Sequence, residues 1–85
     1  MSRIEKLINR LKQRPKDFTY GEAKTLLENL GFYEYNKGKT SGSRTEFRND
    51  KLNEKIELHK PHPGNILKPY AVKNLLNKLY AIGVI

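Results

Sequence analysis

Residues 31–59 read GFYEYNKGKTSGSRTEFRNDKLNEKIELH, and the spacing of apolar side chains across this stretch decides the fold. Up to Leu30 apolar residues recur every three or four positions; after Gly31 they alternate. Alternation bounded by Gly, Asn, Asp and Ser is the pattern of half-buried strands. Residues 32–37, 43–48 and 54–59 therefore read as three strands, separated by polar turns at 38–42 and 49–53. Turns this short tie consecutive strands into an antiparallel meander. Period two also assigns faces. In the third strand Ile56 and Leu58 point inward and Glu57 and His59 outward. In the second strand Ser43, Thr45 and Phe47 point inward, which sends Arg44, Glu46 and Arg48 to the same outer face as His59.

Helices flank the strands. On the N-terminal side, Ser2 is positioned to cap a helix running to about Arg14, with Ile4, Leu7, Ile8 and Leu11 on one stripe. Pro15 ends it, because the residue before a proline is pushed out of the α region. Thr19 and Glu22 have capping-box spacing for a second helix through Leu30, whose inward residues are Ala23, Leu26, Leu27 and Leu30. Gly31 stands where a left-handed glycine closes a helix. On the C-terminal side, residues 60–65 form a stiff loop containing Pro61 and Pro63, and Lys68-Pro69 opens a last helix. Val72, Leu75, Leu76, Leu79 and Tyr80 form its expected buried stripe, and Gly83 ends it. The order is ααβββα. Without the first helix it is αβββα, the order of a double-stranded-RNA-binding-domain-like α+β fold, with a three-stranded antiparallel sheet, helices on one face and the other face open.

An 85-residue chain is expected to form one domain over residues 1–85 with a single modest core. A chain of this size buries roughly 60–65% of its unfolded surface. The absence of Cys removes disulfides, thiolate zinc sites and cysteine nucleophiles. No stretch approaches the roughly 20 apolar residues of a membrane span. The opening MSRIEKLINRLKQRPK has neither an apolar run nor a small-residue cleavage site, which points to a cytoplasmic protein. Charge is the stronger signal. Seventeen Lys and Arg against nine Asp and Glu give a formal +8. An excess this large favours a polyanion-binding surface over mere solubility. Its distribution is uneven: every carboxylate side chain lies at or before Glu57, and Lys60, Lys68, Lys73 and Lys78 follow unopposed.

One segment carries a family likeness. His62-Pro63-Gly64-Asn65-Ile66-Leu67-Lys68-Pro69, followed by Val72, Leu75 and Leu76, resembles the C-terminal half of HicA-family toxins, where a His-Pro-Gly-like turn leads into the final helix. Gly42-Ser43-Arg44-Thr45-Glu46-Phe47 resembles that family's second strand, and residues 26–32 its first helix and turn. The likeness covers approximately residues 19–85 and leaves residues 1–16 as an added helical element. It implies a small basic toxin of a type II toxin–antitoxin module, a double-stranded-RNA-binding-domain-like fold, translation-independent cleavage of mRNA, and neutralisation by an acidic HicB-like antitoxin. It implies no cofactor.

The departure from the family pattern falls at Arg44. A histidine normally follows the small Gly-Ser-like pair on the second strand; here Gly42-Ser43 is followed by arginine. Metal-free RNA cleavage commonly needs a group that takes a proton from the 2′-hydroxyl or gives one to the 5′-oxygen. Histidine, with a pKa of about 6.5, does either, whereas arginine, above about 12, stays a cation. Arg44 can hold a phosphate and stabilise a crowded phosphorane, but it is a poor base. Proton transfer would then fall to His59 or His62, the two histidines of the chain. An outer-face cluster of Arg44, Arg48, Glu57 and His59 can hold a phosphate and move a proton; the plain alternative is a set of cross-strand ion pairs. The alternative for His62 is an imidazole bonded to a backbone carbonyl within its loop.

Lys37, Lys39, Arg44, Arg48, Lys60 and Lys68 are the expected phosphate contacts on RNA, joined by the amides at the start of the last helix. Tyr33, Tyr35 and Tyr70 are either base-stacking residues or ordinary packing residues. His59 and His62 have a separation that zinc ligands can show, but no Cys and no nearby carboxylate completes a tetrahedron, so no metal is expected. The rival reading is a non-catalytic module that binds DNA or another protein.

Overall fold

The change of period after Gly31 builds a sheet, and the periodic segments on either side build the helices that cover it. A computed structural model describes residues 3–35, 44–61 and 64–85. Its elements are α1 (Arg3–Lys12), α2 (Tyr20–Asn29), β1 (Tyr33–Tyr35), β2 (Arg44–Asn49), β3 (Glu54–His59) and α3 (Pro69–Ile82). The strands pair antiparallel in the order β1-β2-β3. This is the expected α+β arrangement, αβββα with one preceding helix.

The burial pattern follows the alternation. Thr45 and Phe47 of β2 and Ile56 and Leu58 of β3 are buried, while Lys55, Glu57 and His59 are exposed. The inner face meets Ala23, Leu26 and Leu27 of α2 and Val72, Leu75, Leu76 and Leu79 of α3 in one apolar cluster. Leu11 of α1 is fully buried in that same cluster. The first helix is thus part of the core, although it precedes the resembling region.

Local chemistry sets the helix ends. The Thr19 hydroxyl accepts the Glu22 N–H at 3.0 Å, and the Thr19 N–H donates to the Glu22 carboxylate at 3.0 Å, completing the capping box. Gly31, at φ 95°, closes α2 in the left-handed region, and a Cβ there would lie 3.1 Å from the Asn49 side chain. Asn49 is itself buried; its amide donates to the Leu30 carbonyl at 3.3 Å and accepts the Leu52 N–H at 3.0 Å. One asparagine thereby ties the end of α2 to the β2–β3 turn.

Several expectations shift. The first helix ends at Lys12 rather than near Arg14, because Arg14, preceding Pro15, takes a left-handed φ of 49°. Phe32 is buried ahead of β1 rather than within it, and Asn49 belongs to β2 rather than to the following turn. Tyr80 is not part of the buried stripe: it is 50% exposed. One position past fully buried Leu79, it is turned by about 100° around the helix axis. The residues just before α3 are tied to the start of α2. Ile66 bridges antiparallel to Thr19, the Leu67 N–H donates to the Phe18 carbonyl at 2.8 Å, and the Tyr20 N–H donates to the Asn65 carbonyl at 2.7 Å. This short zipper holds the starts of α2 and α3 side by side. Ser2, residues 36–43, His62 and Pro63 lie outside the described residues, and with them the expected cap, the first turn and Ser43.

Candidate nucleic-acid interface

The strand register sorts the outer face of the sheet into rows. Tyr33 stands opposite Arg48, which stands opposite Lys55; Tyr35 stands opposite Glu46, which stands opposite Glu57; Arg44 stands opposite His59. Directly opposed residues share a face, so aromatic, basic and acidic positions and a histidine occupy one surface without a helix over it. Arg48, Glu57 and His59 therefore share a face, and Arg44 and His59 are in direct backbone register.

Arg48 is the best-defined cation of this face. Its guanidinium lies 3.7 Å from the Tyr35 ring centroid, and its Nε donates to the Glu46 carboxylate. That hydrogen bond to Glu46 raises the Arg48 pKa above its already high ordinary value. Glu46 and Glu57 are opposed across the strands, a like-charge arrangement that costs stability unless neutralised. Arg48 supplies that neutralisation on the Glu46 side. Tyr33 is 41% exposed, and its hydroxyl donates to the Asp50 carboxylate, with both oxygens at 3.2 Å. Partial burial, and then this contact with Asp50, raises the Tyr33 phenol above its ordinary value. The face thus offers one rim tyrosine and one tyrosine–arginine stack.

The remaining expected phosphate contacts lie elsewhere. Lys60 reaches toward the helical side, where its ammonium is 5.9 Å from the Tyr20 ring centroid. Period two explains this: Lys60 shares its parity with Ile56 and Leu58 rather than with His59. Lys68 is the N-cap residue of α3, with extended backbone and no side-chain capping bond. Lys60 and Lys68 therefore lie apart from Arg48 and His59, which belong to the sheet face. Lys37, Lys39 and His62 lie outside the described residues. Among the described residues no group of three His, Asp or Glu is placed to hold a metal ion, and no helix is long and apolar enough to cross a membrane.

The Tyr35–Arg48 stack is the feature that sequence reasoning missed. Tyrosines at alternate positions 33 and 35 give half the signal, but their partner depends on the register of β1 against β2, which alternation alone does not fix. Tyr70, also considered for stacking, is 55% exposed on the first turn of α3, where it lines a groove together with residues of β3.

A family model described as HicA toxin of bacterial toxin-antitoxin matches residues 20–79. This chain belongs to the HicA toxin family. The match begins at the first residue of α2, runs through the three strands and ends at Leu79 within α3, and it excludes α1. No curated protein and no solved structure gives a significant match to the chain. The HicA toxin is thus one component of a toxin–antitoxin system.

Proposed function

We propose that this HicA toxin binds RNA, with mRNA or structured RNA as its ligand, and that its ribonuclease activity is weak or absent. The observation that carries this reading is the outer face of the sheet, where Tyr33, the Tyr35–Arg48 stack and the Arg44–His59 pair of positions converge on a strongly basic chain. Arginine and aromatic planes stack on unpaired bases, while cations take the phosphates. Lys37, Lys39, Lys60 and Lys68 extend the phosphate contacts beyond the sheet. An acidic HicB-like antitoxin covers the basic surface in the cytoplasm, where opposite charge speeds association and excludes RNA.

Catalysis is limited by what stands at residue 44. Cleavage by the 2′-hydroxyl needs a proton acceptor, a proton donor and a cation on the phosphate. Arg44 and Arg48 supply cations; His59 or His62 carries the proton transfer, with Glu57 on the same face as His59. The test is RNA cleavage by the native chain and by His59→Ala, His62→Ala and Arg44→His. Loss of one acid or base group removes roughly 10²–10⁴-fold of rate. The expected result is feeble native cleavage, lowered further by loss of the acting histidine and raised in Arg44→His. Strong native cleavage that survives both alanine variants would refute these roles.

A further inference from the structure

The outer edge of β3 is unpaired among the described strands, since β3 ends the sheet. Natural proteins blunt such edges with proline, bulges, cover or charged side chains. β3 has no proline, its register with β2 runs without a bulge from Glu54 to His59, and its charges, Lys55 and Glu57 among them, deter strands that do not match them. Beside that edge a groove of about 340 Å³ separates β3 from α3. Consecutive residues 55–59, from both faces of the strand, line it, so the groove wall is the strand edge itself. An antiparallel edge strand turns alternate N–H and C=O groups outward, here into this groove. The opposite wall is α3, through Tyr70, Asn74 and Lys78.

We propose that this groove receives an extended segment of the acidic antitoxin, added antiparallel to β3 as a fourth strand; the inference rests on the antitoxin reading above. The chemistry of β3 fixes what that segment must carry. On the outer face Lys55 and His59 flank Glu57, so the segment places carboxylates opposite the first two and a basic residue opposite Glu57. On the inner face it places apolar side chains opposite Leu58 and Ile56, continuing the buried surface toward α3. Read from its N-terminus, the segment is acidic, apolar, basic, apolar, acidic. Backbone bonds along the edge supply affinity, and the alternating side chains supply choice of partner.

A second copy of this chain fits the edge poorly. Opposed residues in an antiparallel pair must make the same type of backbone contact, so β3 can meet itself only about a residue-centred two-fold. Centred on Ile56, the pairing gains Lys55 against Glu57 but sets Leu58 against Glu54. Centred on Glu57, it sets Glu57 against its own copy and Lys55 against His59. Centred on Leu58, it gains Glu57 against His59 but sets Ile56 against Lys60. Each copy also brings a formal +8, so repulsion compounds these mismatches.

The test co-expresses this chain with the product of the adjoining reading frame and follows amide hydrogen exchange in β3, free and in the complex. In the free chain the groove-facing amides of β3 exchange fast while the alternate ones, bonded to β2, are slow; in the complex the fast set slows by roughly 10²-fold or more. Asn74→Glu, at an exposed α3 position four residues before Lys78, is compatible with the helix and places a carboxylate in the path of the acidic strand. It is expected to weaken the complex by about tenfold or more, with the melting temperature of the free chain unchanged. A complex whose β3 amides keep exchanging fast, or that tolerates Asn74→Glu, overturns the strand addition and leaves the antitoxin reading standing. Failure of the adjoining product to bind overturns that reading and this inference together.

Discussion

Glu22 closes the capping box of α2 and grips Arg10 of α1 with the same carboxylate. The Arg10 guanidinium donates to Glu22 at 2.8 Å and to Asp17 at 2.9 Å, and its pKa is raised, first by the hydrogen bond to Glu22. Burial alone would raise the Glu22 carboxyl, but the Thr19 N–H and the Arg10 guanidinium outweigh it and hold the group below its ordinary value. A carboxyl depressed in the folded state adds stability above its unfolded pKa of about 4.3, and that share is lost as pH falls through the folded value. Glu22→Gln keeps a capping amide but has no charge to titrate. Urea unfolding at a series of pH values between neutral and acid is therefore expected to show a shallower acid-side loss for Glu22→Gln than for the native chain. Identical slopes would place the acid sensitivity in other carboxylates. The capping box was legible in sequence because Thr19 and Glu22 are three residues apart. Arg10 was not, because its approach depends on the turn through left-handed Arg14 and Pro15, which no periodicity describes.

At the scale of elements, α1 is the informative one. It lies outside the residues matched by the HicA model, yet Leu11 is fully buried against α2 and α3. Leu11→Ala should cost about 2–5 kcal/mol, as buried leucine truncations do. That is a large share of the roughly 5–15 kcal/mol by which small domains are stable. Urea denaturation reads this directly: a shift below about 1 kcal/mol would show that α1 is an appendage rather than a wall of the core. The helices and strands themselves were readable, since Leu26 with Leu27 and Leu30, and Ile56 with Leu58, declare periods near four and two. What escaped was the joining of elements. The Thr19–Ile66 bridge pairs residues far apart in sequence, and the prolines near it read as loop. Tyr80 was misplaced because an apolar spacing of four from Leu76 does not reveal that the helix turns Leu79 rather than Tyr80 onto the core.

At the scale of the molecule, charge and topology act together. The helices cover one face of the sheet, and the other keeps Arg48, Lys55 and His59 beside two tyrosines, while α3 carries Lys73 and Lys78 with no carboxylate. Alternation made this face legible from Arg44, Arg48, Glu57 and His59. It also divided the phosphate contacts in a way the sequence list concealed, because Lys60 falls on the other parity. The measurement that tests RNA recognition most directly is a salt titration of binding to single-stranded RNA, duplex RNA and duplex DNA. An RNA is expected to bind more tightly than the DNA near physiological salt, with affinity falling linearly on logarithmic axes at a slope of about −0.7 per phosphate contact for single strands. Indifference to all three near physiological salt, or a preference for duplex DNA, would contradict RNA recognition.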